Sequence, residues 1–335
     1  MMKKISSLIL LLMCNMCFVS CGSDEPESNY EWPEDSNLIT PPSVSKIKGL
    51  NEKTFPIIDG SDSTEPIRIM LAATLAGDYY RCAWIWWVDL SHFLQLKYPQ
   101  SKEESYQLLS SKLKNNNTHP SYINLIDGTV DLIICARESS EDEQKYAQEK
   151  GVTLIEKPIA SDSFAFLLNR NNSVDNLTHE QVVGIYSGAI TNWSQVGGED
   201  QPIKAFTRNR NSGSQEKMEK LVMQGVPMIE VPAMVVGSMM APYQSLEAES
   251  YGIAYSPYYY YLNMSGSTER VKAISINGVP PTKEYILNKQ YPYISDVVVV
   301  IRSDTPAKSY ARKIFDYLTT PDGKKIIEAS GYVTN

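Results

Sequence analysis

The stretch Phe206-Thr207-Arg208-Asn209-Arg210-Asn211-Ser212-Gly213-Ser214-Gln215 is a polar turn between two regular elements. Upstream, Pro202-Ile203-Lys204-Ala205-Phe206 reads as a short strand. Downstream, Met218, Leu221 and Val222 fall at helical spacing. Ser212 stands where a helix N-cap belongs. A helix N-terminus presents unpaired N–H groups and the positive end of the helix dipole. Gly213 has no side chain to keep an anion from the backbone. Ser212 and Ser214 add hydroxyl donors, and Arg208 adds a planar, permanently charged fork suited to an oxyanion. Ser212-Gly213-Ser214-Gln215 also fits a capping box, which needs no ligand. Two further turns of the same chemistry tip the balance toward binding.

The first is Phe55-Pro56-Ile57-Ile58-Asp59-Gly60-Ser61-Asp62-Ser63-Thr64-Glu65-Pro66: a short strand, a Gly/Ser turn, then a helix. Thr64 falls near its N-cap and Pro66 in its first turn. The second is Asn115-Asn116-Asn117-Thr118-His119-Pro120, with Thr118 as N-cap and the helix running to Ile126. The nearly unbroken apolar run Val130 to Cys135 follows, the pattern of a parallel strand covered on both faces. Ala136-Arg137-Glu138 stands at its carboxyl end, where ligands bind in open α/β sheets. The aromatic cluster Tyr79 to Trp87 predicts a helix in the core. Val152 to Pro158 and Ser163 to Leu168 predict two separate strands. Alternating strands and helices throughout indicate an α/β protein.

The 335 residues suffice for two domains, and 42% hydrophobic with 21% charged residues is a soluble globular composition. A net charge of −8 argues against nucleic acid as a partner, so any anion site works by local geometry against the global field. Residues 1–20 read as a signal segment: Lys3 and Lys4, then a short apolar run to Phe18. Ser20-Cys21 resembles a bacterial lipobox, which makes Cys21 the lipidated N-terminus. Residues 21–45 are a polar tether rich in Ser, Asp, Glu and Pro. Cys82 and Cys135 sit in apolar company and read as buried free thiols, although an exported protein permits a disulfide. The three histidines form no ligand-spaced pair, and neither a metal nor a cofactor is expected.

Four phrases in this order and spacing carry a resemblance: Ile57 to Ser61; Ile185-Tyr186-Ser187-Gly188-Ala189-Ile190-Thr191-Asn192-Trp193; Arg208 to Ser214; and Tyr291-Pro292. From about Lys46 onward the chain resembles the phosphate-binding subgroup of type 2 periplasmic binding proteins, the receptors of phosphate ABC importers. The resemblance implies two α/β lobes joined by crossover segments, with the ligand cleft between them. Lobe 1 is expected over 46–158 and 265–335, and lobe 2 over 159–264. It implies a monomeric, lipid-anchored receptor in the cell envelope, on the periplasmic or outer-membrane face or exposed at the surface. Its ligand is phosphate or a similar oxyanion, and its partner an ABC permease. The implied ligand-binding residues are Ser61, Ser63, Thr64, Glu65, Thr118, Arg137, Arg208, Ser212, Gly213 and Ser214. At the end of the apolar strand this chain has Ala136-Arg137 where the family usually has Ser followed by Asp or Arg. A carboxylate there accepts the proton of hydrogen phosphate in some members. Asp62, Glu65 and Glu138 are the candidates for that role here.

Two other readings stand beside the receptor. One is a sensor or adhesion module on the same scaffold without an importer, since fold does not fix function. The other is a phosphoesterase with Ser212 or Ser214 as nucleophile, which needs a base within reach. No G-x-S-x-G elbow is present and no histidine lies near these serines in sequence.

Overall fold

Two long strands pass through the middle of the molecule and organise everything else. The computed structural model describes residues 37–87, 89–229 and 231–334. The signal segment, Cys21 and the tether up to residue 36 lie outside the described residues. The chain begins with β1 (Ile58–Gly60), α1 (Glu65–Leu75), a hairpin of β2 (Arg81–Trp86) and β3 (His92–Lys97), and α2 (Glu103–Ser110). Next come α3 (Thr118–Ile126), β4 (Leu132–Cys135), α4 (Glu141–Glu149) and the long β5 (Leu154–Asn169).

The middle of the chain holds β6 (Asn176–Leu177), α5 (His179–Ser187), β7 (Lys204–Ala205), β8 (Thr207–Arg208) and α6 (Gly213–Lys217). A π-helical stretch, Met218–Met223, continues α6. Then follow β9 (Val235–Val236), α7 (Ala241–Ala248), β10 (Gly252–Pro257), α8 (Tyr258–Asn263), β11 (Val271–Ala273), β12 (Ser275–Ile276) and α9 (Lys283–Leu287). The chain closes with β13 (Ile294–Arg302), α10 (Tyr310–Tyr317) and α11 (Pro321–Ala329).

The main sheet runs β1-β4-β13-β5-β10-β7, with β11 also on β5. β5 serves both lobes. Its first part, Leu154 to Ser163, pairs antiparallel with β13. Its second part, Phe164 to Asn169, pairs with β10 and β11. The first lobe is thus β1, β4, β13 and the start of β5; the second is the end of β5 with β10, β7 and β11. β4 is buried along its whole length and parallel to β1, as its apolar run predicts.

Three expectations change. Residues 154–169 form one strand, not two. Pro158 reads as a break, but it faces Val298 while Val297 faces Ala160, so Ile159 is an extra residue at a bulge. A bulge is one of the few places a sheet accepts proline. The cluster Tyr79 to Trp87 is not a core helix. It is largely the strand β2, whose β-branched and aromatic residues suit a pleated surface. Cys82 and Ala83 are buried, while Trp86 and Trp87 at its end are 61% and 60% exposed. The lobe boundaries also move. Val271 to Ala273 pairs with Leu167 to Asn169, and Tyr291 and Tyr293 pack with Phe164 and Phe166. The chain therefore crosses after Ser163 rather than at 159 and returns near Ile294 rather than at 265.

Part of the tether is docked as well. Ile39 and Cys82 exchange backbone hydrogen bonds of 2.7 and 3.0 Å, and the Ser45 N–H donates to Asp322 Oδ2 at 3.0 Å. Cys82 and Cys135 are free and buried, and burial pushes both thiols up to about 12. Among the described residues no helix is long and apolar enough to cross a membrane.

Candidate functional site

The three turn-to-helix junctions meet in one cavity of about 230 Å³ between the lobes. From the first lobe come Ser61, Asp62 and Ser63 before α1, and Asn117, Thr118 and His119 at the start of α3. From the second come Arg208 to Ser214 and Lys217.

The first-lobe wall is built by Asp59. Its buried carboxylate accepts from the Asn116 N–H at 3.0 Å and from the Asn116 and Asn124 amides at 2.9 Å each, so β1 holds the loop before α3. Asn117 is the N-cap, in the left-handed region at φ 66°, a conformation asparagine tolerates better than most residues. Thr118 is therefore the first helical residue and not the cap. Its Oγ1 lies 2.7 Å from Ser61 Oγ, which in turn accepts the Ala136 N–H at 3.1 Å. Ser61 thus ties β1, β4 and α3 together at the cavity floor.

The second-lobe wall turns on Gln215. Its Oε1 accepts from the Arg208 N–H at 3.2 Å and from the Tyr255 hydroxyl at 2.5 Å. Ser212 Oγ accepts the Gln215 N–H at 3.1 Å, which is half of the expected capping box. The reciprocal half is missing because the Gln215 side chain is spent on Arg208 and Tyr255. Gly213 and Ser214 follow in the first turn, where N–H groups have no acceptor within the helix. The buried Arg208 guanidinium is aimed by Nε donating to the Val236 carbonyl at 3.0 Å and by Met239 Sδ 3.4 Å from one terminal nitrogen. Burial works against its charge, while Asp62 and Tyr255 favour it.

The lobes are in contact across this cavity. A Cβ built on Gly213 would lie 2.6 Å from Thr118 Oγ1. Arg210 reaches Asp142 at 3.6 Å and Lys220 reaches Glu138 at 3.4 Å, both exposed pairs between lobes. Gly213 therefore serves the approach of the opposite lobe.

Three expected residues lie elsewhere. The Thr64 hydroxyl donates to the Ile134 carbonyl at 2.6 Å and accepts from Arg68 at 2.7 Å, so it is consumed in packing α1 on β4. Glu65 points into a separate cavity of about 410 Å³ under the β2–β3 hairpin, where burial raises its pKa and Oε2 has no hydrogen-bond partner. Arg137 forms a two-pronged buried pair with Glu143, both contacts 2.8 Å, and donates to the Glu138 carbonyl. Pairing with Glu143 holds Arg137 above the ordinary arginine value despite its burial.

The structure selects one of the candidate acceptors and adds two residues, His119 and Lys217, that sequence reading did not place in the site. Asp62 lines the cavity with its pKa raised by burial, so of the three carboxylate candidates it is the one that faces the ligand space. Glu138 pairs with Lys220 at the surface instead. His119 lines the wall with Nδ1 3.0 Å from Glu143 Oε1. Lys217 is 3% exposed, and its ammonium has no hydrogen-bond partner. Lys217 stands among Gln215, Glu216, Glu219 and Lys220, so nothing in the sequence set it apart from a solvated helix face. Among the described residues no group of metal-ligating side chains comes together.

A cleft between two α/β lobes, lined by helix N-termini, hydroxyls and one aimed arginine, defines a solute-binding protein. Residues 100–322 match the model of the PBP superfamily domain, and the chain belongs to that superfamily. It is 28% identical to the phosphate-binding protein PstS of Borreliella burgdorferi over 65% of this chain and 81% of that one. Against the protein of the same name from Staphylococcus aureus the identity is 26%, over 62% of this chain and 64% of the relative. Two solved structures share the fold. A putative phosphate ABC transporter substrate-binding protein from Clostridium perfringens has a TM-score of 0.59 at 21% identity, covering 83% of this chain and 98% of that one. An ABC-type phosphate transport receptor from Vibrio cholerae has a TM-score of 0.57 at 24% identity, covering 83% and 99%.

Proposed function

We propose that this chain is an extracytoplasmic receptor that captures inorganic phosphate, or a closely similar oxyanion, and delivers it to an ABC permease. The observation that carries the proposal is the convergence of Ser63, Thr118, Arg208, Gly213 and Ser214 on one interlobe cavity. These groups donate hydrogen bonds, and Arg208 brings a full charge, so the cavity complements a compact anion. Asp62 supplies an acceptor within the same wall and suits an anion that still carries a proton. The relatives named as phosphate-binding proteins support this ligand class.

The receptor works by closure. Thr118 and the 61–63 turn ride on one lobe, Arg208 to Ser214 on the other, and an anion is fully ligated only when both are in place. Lipidation at Cys21 holds the receptor at the membrane, and it acts as a monomer. It carries out no chemistry on its ligand. Calorimetry of the protein, freed of carried-over ligand, against phosphate, sulfate and molybdate tests the reading. Saturable binding of phosphate is expected, with sulfate weaker because sulfate has no proton to give Asp62. Absence of binding to all three overturns it. Loss of the protein from the membrane fraction on Cys21→Ser tests the anchor separately.

A further inference from the structure

We propose that Lys217 is a second, buried cation of the anion site, sealed beneath the cavity wall and charged by taking up a proton when a dianion enters. The inference rests on the receptor reading above. Four observations carry it. Lys217 lines the same cavity as Arg208. Its ammonium is shut off from solvent and has no hydrogen-bond partner. The carboxylate that most favours its charge, Asp162 on β5, spends Oδ1 on the N–H groups of Ser163 and Tyr259 at 2.8 and 3.0 Å. Its Oδ2 has no partner, so no hydrogen bond joins Asp162 to Lys217.

A buried ammonium without a hydrogen bond is costly, and proteins rarely keep one for stability alone. Here it sits next to a space shaped for an anion, where Coulomb attraction is little screened. The groups facing it are Asp162 from β5, Arg137 from the turn after β4 and Asp296 from β13. Burial is the largest influence and, with Arg137 adding to it, outweighs the two carboxylates, pushing Lys217 down to about 8. A dianion nearby favours the protonated form, and by linkage protonation favours the dianion. At and above about pH 8 the site thereby gains charge when its ligand arrives, and it prefers doubly over singly charged oxyanions.

The test is calorimetric titration with inorganic phosphate at about pH 8.5 in two buffers of different ionisation enthalpy, which counts the protons exchanged. Inorganic phosphate is already the dianion there, so uptake reports the protein. The wild-type protein should take up a substantial fraction of a proton, and its affinity should fall roughly tenfold between about pH 8 and pH 9.5. Lys217→Met should abolish both the uptake and the slope; His119, which also lines the wall, is unchanged in that variant, so the variant controls for it. Because Lys217→Met strands Asp162, the Asp162→Asn/Lys217→Met pair is measured alongside and should behave the same way. If either Lys217 variant keeps the uptake, or both bind phosphate as tightly as wild type across the range, the proposal is overturned while the receptor reading stands. If the wild-type protein binds no phosphate, the receptor reading fails first and the proposal falls with it.

Discussion

Gly213 and Thr118 stand on opposite lobes, yet a single carbon added to Gly213 would lie 2.6 Å from Thr118 Oγ1. This contact measures how far the cleft can shut. Gly213 is helical and not in the left-handed region, so the backbone does not oppose alanine, which by propensity favours the helix, and its Cβ would meet only Thr118 of the opposite lobe. Gly213→Ala should therefore leave the melting temperature of the unliganded protein unchanged or slightly higher. Phosphate affinity should fall about ten- to a hundredfold, because the ligated state can no longer close. Isothermal titration and thermal melting of the same sample check both halves; an unchanged affinity would show that closure does not need this contact.

Arg208 and Arg210 are two residues apart in the chain and have different surroundings. Arg208 is buried and aimed into the cavity; the Arg210 side chain is 86% exposed and meets Asp142 at 3.6 Å across the cleft mouth. Arg208→Ala removes a charge-assisted hydrogen bond worth about 1.5–3 kcal/mol, so affinity should drop roughly ten- to a hundredfold. Arg208→Lys should also weaken binding, since an ammonium lacks the planar fork. Arg210→Ala removes an exposed interlobe pair worth about 0–1 kcal/mol, a fewfold effect that salt should erase. Equal losses for both alanine variants would point to general electrostatics.

Glu65 and Arg137 provide the contrasting case. Glu65→Gln places a neutral amide where a carboxylate is held without a partner for Oε2. It should leave phosphate affinity within about twofold of wild type, since Glu65 lies outside the anion cavity. Arg137→Met leaves the buried Glu143 carboxylate without its two-pronged partner, a loss of about 3–5 kcal/mol. Denaturant unfolding should report that loss, with titration of the folded fraction showing a much smaller change in affinity. A large affinity loss in Glu65→Gln would return Glu65 to the site.

Burial pushes the Asp162 carboxyl up to about 6 from 3.8. A carboxyl raised on folding adds stability below its unfolded value, and that contribution is lost as pH rises through about 6. Melting curves from about pH 4 to pH 7 should therefore show wild type gaining on Asp162→Asn as the pH falls, by on the order of 2–3 kcal/mol. A difference that stays flat across that range would place Asp162 in a solvated setting.

Much of the site was legible because its chemistry is local. A polar turn leading into a helix recurs at 55–66, 115–126 and 202–222, and a serine or threonine with glycine or proline marks each junction. What could not be read is which way each side chain turns. Thr64 and Ser63 are adjacent and chemically alike, yet Ser63 lines the cavity and Thr64 is claimed by Ile134 and Arg68. Arg137 has the right charge at the right strand end, but Glu143 is six residues on and captures it. Lys217 hides in an amphipathic pattern as one polar residue among many. The hairpin at 81–97 failed for another reason. Its aromatics satisfy helix and strand equally well over so short a run, and pairing of β2 with β3 decides the matter.

The sharing of β5 between both sheets has a consequence for how the protein comes apart. Leu154 to Ser163 pairs with β13 in one lobe and Phe164 to Asn169 lies between β10 and β11 in the other, with no loop between them. Fraying this strand through its middle strips a neighbour from both lobes at once. The lobes are separate as binding surfaces and inseparable as folding units. Heating should melt them in a single calorimetric step, although they move as two bodies when the cleft opens.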